Sequence, residues 1–174
     1  MGNIATPEFL IARWNELCRD PSLGDLPYKI ELNSWGKVEM GPPPGVGHAR
    51  LQSELAAQLR DQLREGVAYT ECPVLTGIGV RVPDVVWASN AFRKRHKGSS
   101  PMPRAPEICV EIISPSNVEA EITEKTSAYL AAGAEEVWLV AENGTVRVID
   151  GSGEKPRTRF PVSLNLPDVT HDYP

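Results

Sequence analysis

Three charged residues lie where the sequence pattern predicts burial. Glu111 interrupts an apolar run, Ile108–Ile113, that is typical of a central β-strand. Asp84 directly follows Pro83 at the head of a second apolar run. Lys125 falls within the apolar face of a predicted helix, so that helix directs an ammonium group at the sheet. Because a buried charge is costly unless it is paired, neutralised or bound to a metal, these three positions are candidates for a functional site.

Two carboxylates and a lysine that converge on one sheet can support phosphodiester hydrolysis. Mg²⁺ prefers oxygen ligands and keeps several waters, so Asp84 and Glu111 suffice to hold it beside a phosphate, with Mn²⁺ as a substitute. The metal would polarise the phosphate and lower the pKa of a bound water. Lys125 would orient or deprotonate that water, or stabilise the charge that develops on the phosphate. The three residues are therefore the predicted catalytic set.

Each of the three also has a structural explanation. Glu111 can be a strand-end carboxylate or half of an ion pair, and Asp84 can belong to turn chemistry after a proline. Lys125 can extend along its stem to solvent. Together the three can form one structural ion-pair cluster. Their joint placement, rather than any one of them, favours a function.

Other charged residues are weaker candidates. His48 lies at the start of a predicted helix and shares the helical angle of its leucine stripe, so core packing or a helix-start hydrogen bond competes with a site role. Glu54 lies on the same helix away from that stripe, which favours a solvated face. A basic run between the two acid-bearing strands is a candidate contact to a phosphate backbone, or a solvated loop. Its cations are Arg93, Lys94, Arg95 and Lys97.

The elements that must position these residues follow from periodicity and from start and stop signals. Thr6 and Pro7 predict a helix start, Gly133 predicts a helix end, and Asn143–Gly144 predicts a hairpin turn. In chain order we expect a helix over 7–18, a hairpin over 28–40 with its turn at 33–36, a loop over 41–45, a helix over 48–64, strands over 74–82 and 85–87, a polar basic segment over 89–106, a strand over 107–113, a helix over 118–132, strands over 137–141 and 146–149, and an edge strand over 157–164.

Length and composition limit the classes of protein to consider. The 174 residues, 41% of them apolar, predict one domain over 1–174, with a helix and hairpin in 1–45, a core in 46–150 and a strand and tail in 151–174. A net charge of −5 argues against a protein that coats nucleic acid by charge alone. Three cysteines without CxxC spacing suggest neither disulfides nor zinc, so we expect a reducing, cytoplasmic setting. No apolar stretch approaches the ~18 residues that span a bilayer, so no membrane partner is expected.

The same residues carry a family resemblance. Pro83–Asp84 and Glu111 resemble the motif of the PD-(D/E)XK phosphodiesterase superfamily. Within it, the chain is similar to the bacterial Uma-type family, usually labelled restriction endonucleases. The stretches that carry this resemblance are 106–116, Glu124–Lys125, Tyr129 and 132–140. In the wider superfamily the lysine stands two positions after the second acid, where this chain has Ile113. The Uma-type pattern instead places it on the following helix, which matches Lys125.

The resemblance implies a fold and an activity. The fold would be α/β: a restriction-endonuclease-like mixed β-sheet core flanked by helices, with an N-terminal helix and hairpin. The activity would be a Mg²⁺-dependent endonuclease that cuts DNA, in a homodimer because cutting both strands needs two sites. Glu54 lies on the helix that lends a further metal-side acid in some relatives, and Glu121 stands where the family usually has aspartate. Two alternatives stay open: an inactive nuclease fold that binds DNA or protein, and an enzyme for RNA or another phosphodiester.

Overall fold

The chain folds into four helices and ten strands within the described residues. The computed structural model describes residues 4–24, 26, 28–115 and 117–171, so Ser116 of the family-like stretch lies outside them. The helices are α1 (Pro7–Leu17), α2 (Val46–Gln62), α3 (Asn90–Arg95) and α4 (Glu119–Ala132). The strands are β1 (Lys29–Asn33), β2 (Val38–Gly41), β3 (Gly66–Thr70), β4 (Val74–Thr76), β5 (Gly79–Arg81), β6 (Val85–Ser89), β7 (Ile108–Ile113), β8 (Glu136–Ala141), β9 (Val146–Asp150) and β10 (Gly153–Lys155).

The strands form two sheets. The larger sheet has the order β10-β9-β8-β7-β6-β3, and β7 and β8 form its parallel pair, joined by α4. The smaller sheet is antiparallel, in the order β2-β1-β5-β4. This architecture confirms the predicted α/β class, a mixed sheet flanked by helices with an N-terminal helix and hairpin. None of the helices in the described parts of the chain has both the length and the apolar character needed to cross a membrane.

Three apolar clusters hold these layers together. The leucine stripe of α2 packs on one face of the larger sheet, and Leu51, Leu55 and Leu59 are fully buried there. Tyr129 of α4 packs with the opposite face. Because both faces are covered, the central strands are apolar on both sides, as their continuous apolar runs predict. The third cluster joins α1 to the smaller sheet.

Local signals explain the helix ends. The Thr6 hydroxyl accepts a hydrogen bond from the Phe9 N–H at 3.3 Å, and Pro7 occupies the first turn of α1, as predicted. Helix α4 ends at Gly133, whose φ is +114°, a left-handed backbone conformation that residues with a side chain rarely adopt. Helix α2 begins at Val46, two residues before the predicted start.

Several predicted strands differ from the observed ones. The run over 74–82 is not one strand but two, β4 and β5, because the chain turns at residues 77–78; Gly79, the first residue of β5, has a φ of +120°. A Cβ atom at Gly79 would lie 2.0 Å from the Leu32 carbonyl oxygen, so only glycine fits this close approach. Sequence reasoning missed β3, and the polar segment over 89–106 contains the short helix α3.

The prediction of an edge strand over 157–164 is wrong. The edge strand is β10, which pairs with β9, while 156–169 forms no strand. Pro156 and Pro161 cannot donate ladder hydrogen bonds, which explains the difference. This segment packs on α2 instead: the Gln58 amide group accepts from the Asn165 N–H and donates to the Asn165 carbonyl, both at 2.8 Å.

Candidate active site

The antiparallel register of β6 and β7, two interior strands, places Asp84 beside Glu111 where β6 begins. Val85 faces Val110, and the Asp84 N–H donates to the Val110 carbonyl at 3.0 Å. Asp84 is 3% exposed, and its Oδ2 accepts the Ile112 N–H at 2.7 Å. The backbone of β7 therefore fixes the orientation of the Asp84 carboxylate. Both acids line a cavity of about 740 Å³.

Glu111 is a buried carboxyl with few compensating contacts. Its side chain is 12% exposed, and its Oε1 accepts the Tyr129 hydroxyl at 2.6 Å. Burial raises the pKa of Glu111 to about 7; the Asp84 charge adds to this rise, and the Lys125 ammonium opposes it. At neutral pH the group is therefore close to its titration midpoint.

Helix α4 places Lys125 beside two carboxylates. The Lys125 Nζ lies 3.1 Å from Glu31 Oε1 and 3.7 Å from Glu111 Oε1. Burial alone would lower the pKa of Lys125, but the charges of Glu111 and Glu31 raise it above its usual value. Lys125 therefore stays protonated at neutral pH and acts as a fixed cation.

Sequence reasoning missed Glu31, the residue that ties the smaller sheet to this site. Its carboxylate is buried and accepts the Val82 N–H at 2.8 Å as well as the Lys125 ammonium. Burial would raise the pKa of Glu31, yet Lys125, the Val82 N–H and Arg81 lower it below its usual value. The strand alternation puts Glu31 and Lys29 on one face, a signal that is also compatible with a solvent-facing side.

Lys29, also missed from the sequence, contacts the predicted metal ligand. Its Nζ lies 2.6 Å from Asp84 Oδ1 and 3.7 Å from Glu71 Oε2. Burial would lower the pKa of Lys29, but the charges of Glu111, Asp84 and Glu71 together raise it well above its usual value. Burial would raise the pKa of Asp84, whereas the His48 hydrogen bond and the Lys29 ammonium lower it to about 2.

A second set of donors surrounds Asp84. His48 Nε2 lies 3.3 Å from Asp84 Oδ1, and one ligand atom each from His48, Glu71 and Asp84 lies within 4.8 Å of the others. Gln52, one turn after His48 on α2, donates to Glu71 Oε1 at 2.7 Å and to the Asp84 carbonyl at 2.9 Å. Two carboxylates and an imidazole are a donor set that suits a divalent cation.

The charges around the cavity do not balance. The ion-paired acids are Glu31, Glu39, Glu71, Asp84 and Glu111, and their cations are Lys29, Arg81 and Lys125. Leaving aside the imidazole of His48, which faces Asp84, these ion pairs join five carboxylates to three lysine and arginine cations, an excess of two negative charges when every acid is ionised. One divalent cation would neutralise this excess, so the residues present fit a metal at this site.

The other candidates from the sequence lie in different places. Glu121 is exposed and lines a neighbouring cavity of about 410 Å³ that shares Lys125 and Glu111 with the first. Glu54 is exposed on α2 and is not among the residues that line either cavity. Neither residue contacts Asp84 or Glu111 in the described hydrogen bonds and ion pairs.

The basic run does not lie beside the acids. Arg93, Lys94 and Arg95 are on α3 and Lys97 follows it; α3 starts where β6 ends, whereas Asp84 precedes the start of β6. The five residues of β6 separate Asp84 from the start of α3, a distance of roughly 16 Å along the strand at 3.3 Å per residue. Arg93 donates to the Tyr69 hydroxyl at 2.9 Å, and Lys94, Arg95 and Lys97 are exposed. A nucleic-acid contact by these residues stays a prediction, but not one between the two acids.

Comparisons with known proteins identify relatives of this mixed-sheet fold. One similar solved structure is described as a "putative nuclease belonging to DUF820" from Anabaena variabilis ATCC 29413; it is 23% identical, with a TM-score of 0.62 over 77% of this chain and 81% of that one. This likeness shows that the two chains share a fold. Residues 16–171 match the model of the Uma2 family, whose description is "Putative restriction endonuclease". The chain belongs to this family, and membership supports a nuclease. No curated protein matches.

Proposed function

We propose that this protein is a divalent-metal-dependent endonuclease that hydrolyses phosphodiester bonds of DNA. Asp84 and Glu111 would be the metal ligands, and Lys125 the cation at the scissile phosphate. The observation that carries the proposal is that two largely buried carboxylates, Asp84 and Glu111, line one cavity together with Lys125. Family membership supports the reaction class, and DNA as substrate rests on the description of that family.

The metal ligands are held before any metal arrives. The Ile112 N–H holds Oδ2 of Asp84, which leaves Oδ1 directed at the Lys29 ammonium and His48. The Tyr129 hydroxyl holds Oε1 of Glu111. Mg²⁺, or Mn²⁺ in its place, would supply Lewis acidity that polarises the phosphate and lowers the pKa of a water molecule. Since the protein already orients these two carboxylates, they need not reorient to bind the ion.

Lys125 would act through its charge rather than as a base. Glu111 and Glu31 keep its ammonium protonated, so it does not accept a proton from water at neutral pH. An ammonium fixed by two carboxylates can stabilise the negative charge that develops on the phosphate oxygens in the transition state. Of the roles considered for this lysine, charge stabilisation is therefore the one that its surroundings support.

One observation favours a second candidate, an inactive nuclease fold that binds DNA or protein. Both acids already have cationic partners, Lys29 at 2.6 Å from Asp84 and Lys125 at 3.7 Å from Glu111. If these pairs are purely structural, the protein needs no metal. This candidate predicts that Mn²⁺ neither binds nor raises the melting temperature.

A plasmid-nicking assay tests the first proposal. Purified protein is incubated with supercoiled DNA in Mg²⁺, in Mn²⁺ and in EDTA, alongside Glu111→Gln, Lys125→Met and the control Glu65→Gln. Glu65 is an exposed acid at the opposite end of β6, so the control removes the same charge away from the cavity. We expect metal-dependent nicking in the wild type and the control, and none with Glu111→Gln. Nicking that survives Glu111→Gln, or that proceeds in EDTA, would refute the assignment.

A further inference from the structure

Lys29 is a cation that the N-terminal hairpin inserts into the acidic site. Its Nζ lies 2.6 Å from Asp84 Oδ1 and 3.7 Å from Glu71 Oε2, and the charge of Glu111 also acts on it. The side chain is 21% exposed, so most of it is covered by the protein. The ammonium thus sits among three carboxylates, a position with the charge environment of a divalent-cation site.

The Asp84 carboxylate offers one oxygen to a cation. Oδ2 accepts the Ile112 N–H at 2.7 Å, within the sheet. Oδ1 is the oxygen that the Lys29 ammonium contacts. A divalent cation at Oδ1 would lie within a few ångströms of this ammonium, where like charges in a poorly solvated site repel strongly. A metal at Asp84 would therefore compete with Lys29, and with His48 at 3.3 Å, for Oδ1.

A displaced Lys29 ammonium has a defined place to go. Lys29 lines both cavities, together with Glu111 and Lys125, so it borders the space in which a phosphodiester would lie. A lysine stem is flexible and its three donors rotate freely, so the ammonium can turn from Asp84 toward a phosphate without a change in β1. A phosphate oxygen would then replace the lost carboxylate partner.

We propose that Lys29 exchanges partners: it pairs with Asp84 in the metal-free protein and with the substrate phosphodiester in the metal-loaded protein. This inference rests on the proposed function, because it requires a metal at Asp84 and a phosphodiester in the cavity. Lys29 both restrains metal binding and couples it to substrate binding. The metal frees a phosphate-binding cation that is otherwise engaged by the protein.

The test is a comparison of Lys29→Met with wild type and with Lys37→Met. Lys37 is an exposed residue of the same hairpin, so its substitution removes one positive charge from the same module but away from the cavity. Mn²⁺ affinity is measured by calorimetry. Affinity for a short fluorescent DNA duplex is measured by anisotropy in EDTA and in Ca²⁺, a divalent cation chosen to load the site without cleavage. Circular dichroism checks the fold, and Lys29→Gln replaces Lys29→Met if the latter does not fold.

In Lys29→Met the affinity for Mn²⁺ and the affinity for DNA should change in opposite directions. Lys29→Met should bind Mn²⁺ about tenfold more tightly and DNA about tenfold more weakly in Ca²⁺, the equivalent of one charge-assisted hydrogen bond. In EDTA, Lys29→Met should bind DNA as the wild type does, and Lys37→Met should match the wild type throughout.

Two outcomes would overturn the exchange while the proposed function stands. One is an unchanged Mn²⁺ affinity in Lys29→Met. The other is a DNA affinity that falls equally in EDTA and in Ca²⁺, since Lys29 would then contact phosphate without any metal. If neither wild type nor variant binds Mn²⁺ at all, the proposed function itself fails, and the exchange fails with it.

Discussion

Glu111→Gln should stabilise the metal-free protein at neutral to alkaline pH while it abolishes metal binding. Glutamine keeps the carbonyl oxygen that accepts the Tyr129 hydroxyl and removes only the charge. The buried carboxylate of Glu111 costs stability because the folded state resists its ionisation. Carboxyl groups with strongly shifted pKa values are concentrated at functional sites, so this substitution tests stability and function together.

The magnitude follows from the pKa of Glu111, which burial raises to about 7 from an unfolded value of 4.5. Between these values the folded state holds the proton more tightly than the unfolded state, so the stability falls as pH rises through this window. The shift corresponds to about 3 kcal/mol at 1.36 kcal/mol per pH unit. For a chain of this length, that is about 6 to 12 °C in melting temperature.

Asp84 does not obscure this window. Its pKa falls to about 2 from 3.8, so its contribution to stability is present above pH 3.8 and is lost as pH falls toward 2. The two acids therefore act in separate pH ranges and with opposite signs. The difference between wild type and Glu111→Gln isolates the Glu111 contribution in the upper range.

The assay is urea unfolding of both proteins in EDTA across this pH range. The two should have nearly equal stability near the unfolded pKa of Glu111, and Glu111→Gln should be more stable by about 3 kcal/mol above about pH 8. Mn²⁺ should raise the free energy of unfolding of the wild type and leave that of Glu111→Gln unchanged. A wild-type stability that rises between pH 4.5 and 7, or a variant less stable than wild type above pH 7, would contradict the raised pKa of Glu111.

Three further substitutions test other parts of the site and fold. Lys125→Met should slow cleavage about 100-fold or more with Mn²⁺ binding retained, in nicking and calorimetry; a loss below about tenfold would contradict its role at the phosphate. Tyr129→Phe removes a hydrogen bond that lowers the pKa of Glu111, so half-maximal Mn²⁺ binding should move to higher pH in a calorimetric titration series; an unchanged or lower midpoint would contradict this. Gly79→Ala should cost about 2 kcal/mol or more in urea unfolding, because its Cβ would meet the Leu32 carbonyl; a neutral result would contradict the close approach.

Local periodicity predicts part of this site. The apolar runs around Asp84 and Glu111 identify two neighbouring strands, and the helical angle of Lys125 turns it toward them. The structure brings these three residues to one cavity. Each of these signals belongs to a single element, so a sequence reveals it without knowledge of how elements pack.

The remaining site residues depend on packing between elements. Lys29 and Glu31 come from the smaller sheet, and their partners lie 55 and 94 residues away along the chain. Nothing in a strand's alternation distinguishes a charged face that meets another sheet from one that meets water. Glu71 has an unusual φ of +50° after β3, but that conformation is visible only once the chain is folded.

The place of the basic run in the fold also differs from what its position along the chain suggests. Residues 93–97 lie between Asp84 and Glu111 in sequence. Strand β6, however, carries the chain away from Asp84 to its opposite end before α3 begins. Similarly, the apolar residues over 157–164 look like an edge strand, but they cover α2 instead. In both cases the outcome depends on tertiary packing that overrides a local pattern.

A crystal structure of the protein with Mn²⁺ would show directly whether Asp84 and Glu111 hold a metal ion. Anomalous difference density identifies the ion without assumptions about its ligands. We expect a peak in the cavity coordinated by the carboxylates of Asp84 and Glu111, with the Lys29 ammonium displaced from Asp84. This expectation would be contradicted by an empty cavity at saturating Mn²⁺, or by an ion that His48 and Glu71 hold without Glu111.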